Sequence, residues 1–87
     1  MQKRISEIQI VPVNPKDGLV GFASFVFDNC LHLGSIGIYT RPQGGYRLTY
    51  PTRKATNGNF NIFYPINRAI AEEIEQAIID AMYIAFN

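Results

Sequence analysis

Tryptophan is absent from this 87-residue chain, and cysteine and histidine occur once each, as Cys30 and His32. A single thiol excludes an internal disulfide and points to a reducing compartment, the cytoplasm. Cys30 and His32 are also too few for a metal centre, since a structural zinc ion takes four ligands and a catalytic one three. Long apolar runs are missing as well. The most apolar stretch, Leu19 to Phe27, is broken by Gly21 and Ser24 and falls far short of the roughly 20 residues a membrane-spanning helix needs. Met1-Gln2-Lys3-Arg4 leads directly into a strand pattern without the apolar core of a signal peptide. Acid is absent from the whole interval between Asp28 and Glu72, which holds Arg41, Arg47, Arg53, Lys54 and Arg68. Four acids, Glu72, Glu73, Glu75 and Asp80, then follow together, so a net charge of +1 conceals a basic middle and an acidic end.

What is present suits one domain over residues 1–87. The hydrophobic content is 47%, enough for a small core but with little room for a pocket, so no small-molecule substrate and no cofactor are expected. A domain of this size buries only about 60–65% of its unfolded surface, and a long helix or a subunit contact should supplement the core.

Ile8 and Ile10 alternate with Glu7 and Gln9, and Val11-Pro12-Val13 follows, which predicts a first strand over 5–13 with edge character from its proline. Asn14 to Gly18 reads as a turn into a second strand, 19–27, apolar on both faces: Phe25 and Phe27 on one, Val20, Phe22 and Val26 on the other. Both faces therefore need cover. Leu31 to Ile38 is a third strand whose apolar parity switches at Gly34-Ser35, the sign of a bulge. Pro42 to Gly45 turns the chain into a fourth strand, Tyr46–Tyr50, and after a polar turn at Thr52–Asn59 a short fifth strand covers Phe60–Tyr64.

From Asn67, a plausible N-cap, the period becomes helical. Ile70, Ile74, Ala77, Ile78, Ala81, Ile84 and Ala85 form one stripe on a helix of about 28 Å, long enough to cross the sheet. The expected fold is α+β, a small antiparallel sheet of about five strands with one long C-terminal helix packed on it. Ile79, Tyr83 and Phe86 project away from the stripe, which makes them the expected contact of a homodimer.

A nucleophile would have to come from Ser24, Asp28, Cys30 or His32, none of which is set beside a positioned base, so a packed cysteine and a hydrogen-bonded histidine are expected. Gly44-Gly45 lacks the Lys-Ser/Thr ending of a phosphate loop, and the helix glutamates read as a solvated face. No catalytic residue is assigned. Stronger is the combination of Arg53 and Lys54, with Arg41, Arg47 and Arg68 adding positive potential, interleaved with Tyr39, Tyr46, Tyr50, Phe60 and Tyr64. Guanidinium groups contact phosphate and exposed rings stack on bases, so these residues point to nucleic acid.

The ordered residues Asp17-Gly18, Ala23-Ser24, Asp28, Gly45-Tyr46, Tyr50-Pro51, Arg53, Gly58, Phe60 and Tyr64-Pro65-Ile66-Asn67 resemble the SpoVG family, the stage V sporulation protein G group of bacteria. The resemblance implies a cytoplasmic, homodimeric, non-catalytic regulator of septation and sporulation-related genes that binds DNA and, in some members, RNA. It implies an antiparallel sheet followed by a C-terminal helix. The acidic helix here should repel phosphate and shift binding to Arg53, Lys54 and the sheet turns. A protein-interaction module in cell division or regulation, with the same dimeric fold and no direct nucleic-acid binding, is the alternative.

Overall fold

Four successive strands, β1 (Ile5–Lys16), β2 (Leu19–Phe27), β3 (Leu31–Thr40) and β4 (Tyr46–Thr49), form an antiparallel meander in that order. The computed structural model describes residues 4–86, with the side chain of Phe86 excepted. The first hairpin closes on Asp17 (φ 53°) and Gly18 (φ 89°), the two left-handed residues of a primed turn whose twist matches the flanking strands. Two residues suffice for that turn, so β1 runs past Val13 through Pro15 to Lys16 instead of ending at residue 13. Pro12 and Pro15 are tolerated because β1 is an edge strand and need not donate outward.

The parity switch in β3 is a bulge, as expected. Leu33 pairs with Phe25 and Ile36 with Ala23, so Gly34 and Ser35 together face the single residue Ser24, and Ser35 adopts φ 60°. The extra residue returns Leu33, Ile36 and Ile38 to one face. That face holds the buried Ala23, Phe25, Ile36 and Ile38, joined by Ile5 from β1 and by Ile74, Ile78 and Met82 from the helix. Each fully buried side chain of this size contributes about 1.5–3 kcal/mol.

The C-terminal helix α1 (Arg68–Phe86) contains no glycine or proline. It starts on Asn67, whose Oδ1 accepts a hydrogen bond from the Ile70 amide at 3.1 Å, while its carbonyl accepts from Ala71 at 3.0 Å. Its buried row differs from the expected stripe. Ile74, Ile78 and Met82 lie on one i, i+4, i+8 ridge, and Ile84 is 83% exposed. That ridge is inclined to the helix axis, so toward the C-terminus it moves off the Ile84 side and onto Met82, whose flexible thioether fills the gap.

Residues 52–61 differ most from expectation. The stretch Thr52–Asn59 is no simple turn: β5 (Thr52–Ala55) and β6 (Gly58–Asn61) pair antiparallel as a separate two-stranded ribbon around Thr56-Asn57. Residues 62–67, which include most of the expected fifth strand, are irregular. Cover on both faces of β2 is not found either. The helix covers the Phe25 face, while Val11 and Phe22, paired on the other, are 60% and 39% exposed.

Candidate nucleic-acid interface

The ribbon is exposed at every residue of both strands. Its register decides which side chains act together, because residues directly opposite in an antiparallel pair share a face. Arg53 pairs with Phe60, putting a cation and an exposed ring on one face. Lys54 pairs with Asn59 and Thr52 with Asn61, making the other face wholly polar. Gly58, at φ 122°, permits the turn where a side chain would strain it. Neither Arg53 nor Lys54 has an ion-pair partner among the described residues.

The other cations have different surroundings. Arg47 lies directly across from Tyr39, its guanidinium carbon 4.7 Å from the ring centroid, on the sheet face away from the helix. An exposed cation–π contact of this kind is worth about 0.5–1 kcal/mol and leaves the charge available. Arg41 is held by its own turn, Nε donating to the Tyr46 carbonyl at 3.2 Å, with Nη2 3.9 Å from Glu75 Oε1. Arg68 reaches Glu72 at 3.5 Å one helical turn on, and both side chains are largely exposed. The expected basic set is therefore divided: Arg53 and Lys54 share the ribbon, Arg47 stands on the sheet, and Arg41 and Arg68 lie beside helix carboxylates.

That pairing also changes the reading of the acidic helix. Glu73 accepts from Arg4 Nη2 at 2.9 Å, so Glu72, Glu73 and Glu75 each face an arginine, while Asp80 accepts from Gln76 at 2.8 Å. Exposed pairs of this type contribute about 0–1 kcal/mol, yet they offset locally the charge that would repel a polyanion.

Of the aromatic residues, Tyr46 and Tyr50 belong to the body, packed edge-on against Tyr83 and Phe63 at 6.2 and 6.0 Å between centroids. Burial, and secondarily the charge of Glu75, raises the Tyr50 hydroxyl above its ordinary pKa. Only Phe60 and Tyr64 of the expected ring set are mostly exposed. Of the expected dimer contact, Ile79 is half-buried and Tyr83 is half-exposed with its edge on Tyr46; the side chain of Phe86 lies outside the described residues. Cys30 is exposed in the β2–β3 turn and not packed, and His32 is exposed at the start of β3. No group of three or more metal-binding side chains occurs among the described residues, and no helix there is long and apolar enough to cross a membrane.

Asn59, Asn61 and Thr52 were not distinguished by sequence. Their only signal is the Asn57-Gly58 dipeptide, a hairpin marker, followed by alternating asparagines.

A four-stranded meander with one covering helix and a separate, exposed two-stranded ribbon defines a small α+β protein. The SpoVG family profile matches residues 3–83, and the chain belongs to that family. Among its relatives, a protein of Treponema denticola is 31% identical over 77 residues, covering 87% of this chain and 82% of its own length. One from Borrelia hermsii is 33% identical over 66 residues, 75% of this chain and 68% of its own. A third, from Clostridium perfringens, is 29% identical over 77 residues, 87% and 84%. All three are named as candidate septation proteins, SpoVG.

Proposed function

We propose that this chain is a dimeric, non-catalytic regulator that binds nucleic acid through the β5–β6 ribbon, and acts in the cytoplasm on septation, the process in its relatives' names. One observation carries the reading: an exposed two-stranded ribbon holds Arg53 and Lys54 without a carboxylate partner among the described residues. The major groove of B-DNA, about 12 Å wide, admits a two-stranded ribbon. Arg53 and Lys54 contact phosphates, which fixes position without reading sequence, and the Lys54 face offers Asn59, Asn61 and Thr52 to base edges. Arg47 adds positive potential from the sheet. Duplex RNA, with its deep and narrow major groove, does not admit such a ribbon, so RNA binds here as a single strand.

The test is a titration of labelled duplex DNA, single-stranded DNA, single-stranded RNA and duplex RNA at several salt concentrations. Arg53→Ala with Lys54→Ala should weaken binding similarly on unrelated sequences and lower the slope of log K against log salt by roughly 1–2. An unchanged slope sinks the assignment of these two residues, and a wild type that binds none of the four sinks nucleic-acid binding. The second reading, docking of a division or regulatory protein, is favoured by the apolar row Phe60, Ile62, Tyr64 and Ile66, and would then take its place.

A further inference from the structure

Glycine follows asparagine once in this chain, at Asn57-Gly58, and the fold places that dipeptide at the tip of the ribbon. The side-chain amide of an asparagine is open to attack by the backbone nitrogen of the next residue, and a side chain on that residue hinders the approach. Glycine carries none and gives its backbone the widest range of conformations. The other asparagines among the described residues precede Pro15, Cys30, Phe60, Ile62 and Arg68; the proline has no N–H, and the rest present a side chain.

The surroundings of Asn57 favour the attack. Thr56 and Asn57 are exposed, no side-chain hydrogen bond among the described residues holds Asn57, and nothing lies within 4 Å of a carbon added at Gly58. The ribbon makes no extended contact with any other strand or with the helix. A lone two-stranded hairpin is marginal in water, so the Ala55–Gly58 pair that closes the turn opens locally while the body stays folded. Asp17-Gly18, which could close the same ring with loss of water, is the contrast. There the Gly18 carbonyl accepts the Thr40 amide at 2.9 Å, and Tyr39 and Thr40 side-chain atoms lie 3.7 Å from the position of a Gly18 Cβ, so that turn is anchored to β3.

We infer that Asn57 is a site of spontaneous, one-way covalent modification, which places a negative charge beside the cations of the ribbon and lowers their affinity for phosphate. The Gly58 nitrogen attacks Asn57 Cγ: the N–Cγ bond forms, the Cγ–Nδ2 bond breaks, and ammonia leaves with the proton of the Gly58 amide. Water then opens the five-membered imide at either carbonyl, and the nitrogen regains its proton. Opening at Cγ leaves aspartate; opening at the main-chain carbonyl leaves isoaspartate, whose backbone runs through Cβ and Cγ. Neither an oxidant nor a reductant takes part. Both products cancel the net charge of +1, in a ribbon that otherwise contains no acid. Only the Ala55–Gly58 pair separates the new carboxylate from Lys54, so it competes with phosphate for that ammonium group. Isoaspartate also lengthens the strand by one backbone atom and disturbs the register that the turn sets. The effect on phosphate rests on the nucleic-acid binding proposed above, whereas the modification itself does not.

Incubation of the whole protein at mildly alkaline pH, followed by peptide mass spectrometry with fragmentation to place each change, tests the chemistry. Asn57 should gain one mass unit and appear as aspartyl and isoaspartyl forms, roughly tenfold or more faster than Asn29, Asn59, Asn61 or Asn67. Asn57→Gln, whose ring would need six members, should show no comparable change at that position. An Asn57 that stays intact, or that reacts no faster than the other four, overturns the inference whatever the protein binds. Asn57→Asp, with native-like far-UV circular dichroism, tests the consequence in titrations of labelled duplex and single-stranded DNA: affinity should fall, and the slope of log K against log salt should shrink by roughly 1. A slope and affinity equal to those of the wild type overturn the charge effect. A wild type that binds no nucleic acid removes that effect together with the function on which it rests, while the mass alone still decides the covalent site.

Discussion

The sheet–helix body has strands of up to 12 residues and the β5–β6 ribbon two strands of 4 residues each, and the two parts are held by different forces. In the body, Phe25, Ile36, Ile38, Ile78 and Met82 are almost completely removed from water. In the ribbon no residue is, and its two strands are joined by backbone hydrogen bonds and cross-strand pairs alone. An isolated two-stranded hairpin is marginal in water. The body therefore supplies the stability, and the ribbon supplies exposed surface. On that surface Phe60 is half-exposed, and Arg53 and Lys54 have no ion-pair partner among the described residues.

Substitutions at four positions sharpen this contrast, beginning with the largest effect. Phe25→Ala empties a site at the centre of the body and should cost about 3–5 kcal/mol. That is a large part of the roughly 5–15 kcal/mol typical of a whole domain, and urea denaturation at fixed protein concentration would measure it. A loss below about 1 kcal/mol would mean that the sheet–helix core is not where stability resides. Asn67→Ala removes the side-chain acceptor for the Ile70 amide and should cost about 1 kcal/mol, read from the same denaturation curves. Asn67→Asp should recover most of it.

Tyr50 tests the body through pH. Its folded-state pKa is raised, chiefly by burial and then by Glu75. As pH climbs past the ordinary tyrosine value of 10.0, the unfolded chain releases the proton first while the folded chain retains it. Its contribution to stability is thus complete below that value and is lost as pH rises through the higher folded value. Tyr50→Phe should flatten the alkaline decline in melting temperature, and an identical decline in both proteins would contradict the environment assigned to this hydroxyl. Gly58→Ala should have the smallest global effect. It strains a φ of 122° with nothing within 4 Å of the added carbon, so the cost falls on the ribbon. Amide exchange should quicken at residues 52–61 while the body's melting temperature holds; a matching drop in both would show that ribbon and body unfold as one unit.

Much of the body could be read from the chain. Asn14 to Gly18 marked its turn, which the structure narrows to Asp17-Gly18, the parity switch at Gly34-Ser35 marked its bulge, and Asn67 marked its cap. Each is a local signal. The ribbon was missed for the converse reason: a strand exposed on both faces carries no apolar alternation, so Thr52–Asn59 looked like a turn. The candidate site was legible in its residue types, Arg53 and Lys54, but not in their arrangement.

What the sequence determined by itself was whatever depends on near neighbours or on period: the α+β class, the helix with its cap, the places of the first four strands and the acid-free middle. Only the tertiary structure decided which helix row is buried, replacing Ile84 with Met82, because a few tens of degrees of helix rotation are set by the surface it meets. It alone brought Arg4 to Glu73 and Arg41 to Glu75, pairs from distant segments that no local pattern encodes. It alone left one face of β2 open while detaching the ribbon, since burial is a property of the whole packed assembly and not of any residue within it.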